Sequence, residues 1–113
     1  MKKITFSTSS IGMIIGLAFT ASAIAEDGKT VFEANCVACH SQGGNMMNPA
    51  KTLSKEHLTQ YDRFSVDAVY DVLEKGVSGT AMMSFERLGE AKLKAVTDYV
   101  MEQAEAGWPS SSK

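Results

Sequence analysis

The sequence is poor in the residues that mark several common classes of protein. It has only two cysteines, so it is not a disulfide-dense scaffold, and these two alone cannot complete a four-ligand structural zinc site. The formal net charge is −2, which leaves no basic surface of the kind that binds nucleic acid. A chain of 113 residues is too short for a multidomain enzyme, but at 44% hydrophobic residues it is too apolar to be wholly disordered. We therefore expect one small folded domain.

The N-terminal residues have the layout of a secretory signal peptide. Lys2 and Lys3 precede an apolar run over residues 11–19, and small residues follow up to Ala25. The run is shorter than the roughly 20 residues that span a bilayer, so we expect residues 1–25 to be cleaved rather than kept as a membrane anchor. This leader holds two of the eleven basic residues and none of the thirteen acidic ones, so the mature chain has a formal net charge of −4.

The rest of the chain has the pattern of an all-α domain. No segment shows the alternation of apolar and polar residues that is typical of a half-exposed strand. Apolar residues at helical spacing, with Ser54 and Ser65 as N-caps and Gly76 and Gly107 as stops, indicate four helices. Their expected ranges are about 27–38, 55–61, 66–75 and 90–106. The predicted buried faces comprise Val66, Val69, Tyr70 and Leu73 in the third helix and Leu93, Val96, Val100 and Ala104 in the fourth.

The strongest chemical signal is the C-x-x-C-H motif at residues 36–40. It is the attachment pattern of c-type haem. Cys36 and Cys39 are three residues apart on a helical turn, so each can bond one vinyl group on the same edge of a porphyrin. The adjacent His40 can then bind the iron as its proximal ligand. Covalent attachment would also hold the cofactor in a domain too small to enclose it fully.

Two other interpretations of the motif stay open at this point. Cys36 and Cys39 could form a redox-active dithiol in an oxidising compartment, although the βαβ context of a thioredoxin-like site is missing. They could also join His40 and His57 in a Cys₂His₂ zinc site. The adjacency of Cys39 and His40 is poor geometry for such chelation.

The iron of a haem electron carrier ordinarily has a second protein ligand on its other face. The candidates by residue type are Met46, Met47, His57, Met82, Met83 and Met101. The pair at residues 46–47 follows His40 too closely to reach the opposite face with ease, and Met101 lies inside the last helix. The pair at residues 82–83 lies in the loop between the third and fourth helices, where the chain can cross to the distal face. A thioether ligand there would favour reduced iron.

Further segments resemble those of the class I c-type cytochromes, and most closely the cytochrome c6 family. They are a Gly-rich loop at residues 43–45, the K-T-L sequence at residues 51–53, and the A-M-x-x-F sequence at residues 81–85 followed by R-L. The resemblance extends from residue 28 to residue 108. It implies an all-α, small cytochrome c-like fold, in which about four helices wrap around one covalently attached haem c.

The same resemblance assigns residues and boundaries. It implies a cytochrome c domain over residues 26–108, followed by a flexible tail at residues 109–113. Met82 is then the axial ligand opposite His40. The sequence departs from the family at Met83, where the family has proline, and this replacement puts a second sulfur beside the expected ligand.

The resemblance also implies a function, which is that of a soluble one-electron carrier. Filling both axial positions leaves no open site for a substrate, so we expect no enzymatic activity. The implied donor is a cytochrome bc- or bf-type complex, and the implied acceptor is an oxidase, a reductase or photosystem I. The expected location is the bacterial periplasm or the thylakoid lumen, and the expected state is a monomer. The alternative is a haem-based peroxide- or gas-binding protein with a labile Met ligand.

Overall fold

The computed structural model describes residues 27–109, and the regular structure in this range is helical. A turn at Ser41–Gly43 and a short 3₁₀ turn at Glu86–Leu88 lie between the helices. The predicted all-α class is confirmed. The α-helices are α1 (Gly28–Asn35), α2 (Val37–His40), α3 (Lys55–Gln60), α4 (Val66–Lys75) and α5 (Glu90–Ala106).

The first predicted helix is divided in two, so the described range has five α-helices where four were expected. The break is at Cys36, whose φ of −120° and ψ of −28° are not helical. The Cys36 N–H still donates to the Phe32 carbonyl at 2.8 Å, while the Cys36 carbonyl accepts from the His40 N–H at 2.8 Å. Both backbone groups of Cys36 therefore keep hydrogen-bond partners across the break. Cys39 and His40 lie on a separate short helix, α2.

The predicted helix ends are otherwise confirmed. The side chains of Ser54 and Ser65 each accept a hydrogen bond, at 3.1 Å, from the backbone N–H three residues later. These bonds satisfy donors that the first helical turn leaves without a partner. Gly76 and Gly107 end α4 and α5 with positive φ angles of 71° and 80°, a conformation that costs glycine little.

The last helix, α5, forms the centre of the core, and α1 and α4 pack against it. The four apolar residues predicted on its inner face are all buried. The prediction for α4 is correct for Val69 and Leu73, whereas Tyr70 is only half-buried and Val66, in the first turn, is 47% exposed. Thr97 was not predicted in the core, yet it is 0% exposed.

Three aromatic rings pack where α1 meets α5. The ring centroids of Phe32 and Tyr99 are 5.4 Å apart, those of Phe32 and Trp108 5.3 Å, and those of Tyr99 and Trp108 6.2 Å. Such tilted and edge-on pairs contribute beyond the area they bury. Gly28 permits the close crossing, because a Cβ atom there would overlap the Ala95 carbonyl of α5.

Some sequence predictions fall outside the described residues. These are the signal peptide at residues 1–25 and all but the first residue of the tail at residues 109–113, and they remain predictions. Within residues 27–109, no helix is both long enough and apolar enough to cross a membrane.

Candidate haem site

Cys36 lies at the break between α1 and α2, and Cys39 lies on α2. Both are free thiols. Cys36 is half-buried and packs against the hydrophobic core, while Cys39 is exposed. Burial raises the pKa of the Cys36 thiol to about 11. Redox-active C-x-x-C sites ordinarily have one thiol with a lowered pKa, so the shift at Cys36 counts against the dithiol interpretation.

His40 has one ring nitrogen engaged by the backbone. Its Nδ1 lies 2.7 Å from the Gly44 carbonyl oxygen. A carbonyl can only accept, so Nδ1 carries the proton and donates, and Nε2 keeps its lone pair. This arrangement is typical of a metal-binding histidine, in which a second partner fixes the tautomer and the ring orientation. Gln42 and Gly43, with φ angles of 53° and 76°, turn the chain so that Gly44 returns to His40.

Met82 is half-buried and packs against the same hydrophobic core as Cys36. Two hydrogen bonds within the loop hold the N–H and the carbonyl of Met82. The Val77 N–H donates to the Met82 carbonyl at 2.9 Å, and the Met82 N–H donates to Thr80 Oγ1 at 3.1 Å. Gly76 lies directly under this loop, since a Cβ there would be 2.9 Å from the Met82 carbonyl oxygen.

The other candidate ligands have different surroundings. The side chains of Met46, Met47 and Met83 are 71%, 66% and 59% exposed. Met101 is half-buried on α5 and packs against the core, as its helical position predicts. The Nδ1 atom of His57 already accepts the Thr52 N–H at 2.9 Å.

The side chains present fit haem c and do not fit zinc. Among residues 27–109, no group of three or more His, Cys, Asp or Glu residues is arranged to hold a metal ion, so the Cys₂His₂ site is not assembled. Two thiols able to bond the vinyl groups, together with an imidazole and a half-buried thioether able to bind the iron, are the side chains that c-type haem requires. Cys36, Cys39, His40 and Met82 are the residues that would hold it.

Sequence reasoning missed a connection that supports the His40 turn. Leu53 uses both of its backbone groups: its N–H donates to the Gly43 carbonyl at 2.7 Å, and its carbonyl accepts from Trp108 Nε1 at 2.8 Å. The indole of Trp108 also covers Gly43, where a Cβ would overlap the ring. The only sequence signals were a paired glycine after the haem motif and a lone Trp beyond the last helix.

Comparison with known proteins identifies the family. The cytochrome c6 of Microcystis aeruginosa is 46% identical over 83 residues, which are 73% of this chain and 100% of that protein. The chain belongs to the cytochrome c6 family. The cytochrome c6 of Thermostichus vulcanus is 38% identical over 112 residues, 96% of this chain and 98% of that protein. A family model described as cytochrome c oxidase, cbb3-type, subunit III, matches residues 23–100.

Solved structures of c6-type cytochromes have the same fold. The cytochrome c6 of the diatom Phaeodactylum tricornutum matches with a TM-score of 0.67 and 37% identity, over 72% of this chain and 94% of that one. Oxidised cytochrome c6A of Arabidopsis thaliana matches with a TM-score of 0.67 and 28% identity, over 74% of this chain and 92% of that one. The predicted cytochrome c-like fold is confirmed.

Membership of the cytochrome c6 family confirms the main functional predictions. The chain is a soluble monohaem electron carrier and not an enzyme, and it carries one covalently bound haem c. It works between redox complexes, in the periplasm or the thylakoid lumen.

Proposed function

We propose that this c6-type cytochrome attaches its haem through Cys36 and Cys39 and holds the iron between His40 and Met82. The observation that carries the proposal is the 2.7 Å contact between His40 Nδ1 and the Gly44 carbonyl oxygen, which leaves Nε2 as the ring atom able to bind iron. When bound, the haem supplies a ferric–ferrous couple that takes up and releases one electron. The protein residues bind it, orient it and tune its potential.

Each of the four residues has a distinct part in this proposal. Cys36 and Cys39 would hold the cofactor through thioether bonds, which would keep it attached in a small domain. The Gly44 carbonyl fixes the His40 ring in an orientation that leaves Nε2 able to bind iron. Such a second partner also makes the imidazole a stronger donor. The thioether of Met82 favours the ferrous state and raises the potential.

The choice of Met82 over Met83 is supported by burial and by the tied loop. Met82 is half-buried and packs against the hydrophobic core, whereas Met83 is 59% exposed. For Met83 to replace Met82 as the ligand, the loop would have to shift by one residue. The hydrogen bonds of the Met82 backbone to Val77 and Thr80 oppose that shift.

Optical spectra of the purified holoprotein test the ligand assignment. We expect a low-spin ferric form with the weak far-red band of Met–iron ligation, and sharp ferrous c-type bands that carbon monoxide does not change. Met82→Ala should lose the far-red band and bind carbon monoxide, and Met83→Ala, the matched control, should keep the native spectra. A reversed result would assign Met83. A native protein that binds carbon monoxide readily would favour the peroxide- or gas-binding alternative.

We further propose a cytochrome bc- or bf-type complex as the donor, and an oxidase, a reductase or photosystem I as the acceptor. The family model is described as a subunit of a cbb3-type oxidase, which supports an oxidase among these acceptors. The acidic mature chain, with a formal net charge of −4, would be steered to a partner with a basic surface.

Electron transfer kinetics test the partners. The ferrous protein should be oxidised by one of the three acceptors much faster than by the others, and its second-order rate should fall as salt is added. A rate that rises with salt would contradict a basic partner, and no oxidation by any of them would exclude all three.

A further inference from the structure

His57 occupies an unusual position for a surface-helix histidine, because its ring nitrogen accepts a backbone hydrogen bond. The Thr52 N–H donates to His57 Nδ1 at 2.9 Å, and Thr52 Oγ1 lies 2.8 Å from the same nitrogen. A backbone N–H can only donate, so Nδ1 must be unprotonated in this arrangement. The His57 N–H also donates to Ser54 Oγ at 3.1 Å, so the ring and the backbone of His57 hold the two residues on either side of Leu53.

The residue between them, Leu53, connects this network to the turn that supports His40. The Leu53 N–H donates to the Gly43 carbonyl at 2.7 Å. The next carbonyl along the chain, that of Gly44, accepts the proton of His40 Nδ1 at 2.7 Å. A path of three hydrogen bonds, linked by the peptide bonds of residues 52–53 and 43–44, therefore runs from the His57 ring to the His40 ring.

A second hydrogen bond ties the same two segments together. Asn45 Nδ2 donates to the Lys51 carbonyl at 2.9 Å, on the residue before Thr52. Because Lys51 and Leu53 are both bonded to the 43–45 turn, the peptide between them has little freedom, and the Thr52 N–H is held toward its acceptor. His57 is thus the acceptor that completes a rigid support behind the His40 ring.

We propose that His57 is a positioning residue for the proximal ligand His40 and makes the support of that ligand sensitive to pH. The proposal rests on the proposed function, in which His40 binds the iron. While Nδ1 of His57 is unprotonated, residues 52–54 stay against the 43–44 turn. When it is protonated, the Thr52 N–H faces another donor and loses its acceptor, so the turn and the bond from Gly44 to His40 loosen. Histidine is the side chain that ordinarily changes charge between pH 5 and 8.

The charged side chains around α3 do not account for the proposed pH dependence. Glu56 is the neighbour of His57 on α3, and Lys51 lies in the preceding segment. From α5, Glu105 reaches α3, but it is paired with Lys55 at 3.0 Å. Among the hydrogen bonds and ion pairs of residues 27–109, none joins any of these groups to the His57 ring. The contact that protonation changes is therefore the one with Thr52.

The expected consequence for the haem is a shift in reduction potential. A histidine ligand donates more strongly when its other ring N–H is well hydrogen-bonded, and stronger donation favours ferric iron. Loosening the Gly44 bond should therefore raise the potential. In the native protein, the potential should rise as the pH is lowered from 8 to 5.

Three variants of the holoprotein test the proposal. His57→Ala removes the acceptor, His57→Asn keeps an acceptor oxygen near the position of Nδ1 but cannot be protonated, and Ser65→Ala removes a helix cap of α4 that is not part of the path. We would measure, by NMR, the protection of the Leu53 amide and of the His40 Nδ1–H in the ferrous protein. The reduction potential would be measured over the same pH range.

We expect His57→Ala to reduce the exchange protection of the Leu53 amide roughly tenfold, which corresponds to the loss of about one hydrogen bond. Its reduction potential should be higher than that of Ser65→Ala. His57→Asn should restore both properties and abolish the native pH response between pH 8 and 5. Equal values for His57→Ala and Ser65→Ala, or an unchanged pH response in His57→Asn, would overturn the proposal. Loss of Leu53 protection with an unchanged potential would overturn it too. Failure of the proposed function would appear separately, as the absence of a low-spin c-type spectrum in the native holoprotein.

Discussion

Trp108 donates a hydrogen bond from its indole Nε1 to the backbone carbonyl of Leu53 at 2.8 Å, across 55 residues of sequence. This bond joins the end of α5 to the segment before α3. Since the Leu53 N–H is bonded to the Gly43 carbonyl, the indole also supports the turn behind His40. Trp108 is therefore part of the haem-site support, although it follows the last helix.

Replacing Trp108 by Phe should destabilise the protein and weaken the His40 turn. Phe keeps an aromatic ring against Phe32 and Tyr99 but leaves the half-buried Leu53 carbonyl without its donor, at a cost of about 1–3 kcal/mol. Urea unfolding of the holoprotein, followed by circular dichroism, measures the change. The matched control is Tyr99→Phe, which keeps the ring at the same aromatic cluster and leaves the Leu53 bond in place. An equal loss in the two variants would contradict a specific role of the indole N–H.

Gly43→Ala should be strongly destabilising, whereas Gly79→Ala should be much milder. Both glycines have a φ of 76°, so both variants include the left-handed cost of about 1–2 kcal/mol. Only at Gly43 would the new Cβ overlap the Trp108 ring, since nothing lies within 4 Å of a Cβ at Gly79. The difference between the two unfolding free energies measures the steric part. Similar values would mean that the indole moves away freely.

Thr97→Val should stabilise the protein by about 1 kcal/mol, the lower end of the cost of an unpaired buried polar group. Thr97 is 0% exposed, and its Oγ1 has no hydrogen-bond partner among the described residues. Valine has nearly the same shape and removes only the hydroxyl. The exposed Thr59, on α3, offers the control Thr59→Val, for which we expect no comparable gain. A destabilised Thr97→Val protein would indicate that the hydroxyl has a partner in solution.

The stability of the protein should fall as the pH rises above about 10. Burial raises the pKa of Tyr99, and the carboxylates of Glu33, Asp27 and Glu102 raise it further. A group with a raised pKa in the folded state binds its proton more tightly there than in the unfolded chain. The stabilisation that Tyr99 contributes is therefore complete below its pKa in the unfolded chain, about 10, and is lost as the pH rises through its pKa in the folded protein.

Two glutamate variants separate the causes of this shift. Glu33→Gln should lower the pKa of Tyr99, because it removes a neighbouring negative charge, and ultraviolet titration of the ferrous holoprotein would detect the change. Glu74→Gln, whose carboxylate instead raises the pKa of Tyr70, should leave Tyr99 unchanged. The charge contribution to the Tyr99 pKa would be disproved by a Glu33→Gln titration identical to the native one.

The amino-acid sequence alone determined the features that depend on local chemistry. The C-x-x-C-H spacing indicated haem c, the serine caps and glycine stops predicted the helix ends, and the apolar spacing predicted the buried face of α5. These inferences succeeded because each depends on residues within a few positions of one another. The Met82 assignment depended on the resemblance to a family, and the signal peptide and the axial ligands stay predictions.

Only the tertiary structure revealed the support behind His40 and the environment of the candidate ligands. The tautomer of His40, the burial of Met82 against the exposure of Met83, and the path from His57 through Leu53 to Gly43 depend on segments that are distant in sequence. Local spacing contains no information on which carbonyl a distant N–H will meet. That choice follows from how α1 and α4 pack on α5, since this packing decides which loops come close enough to share hydrogen bonds.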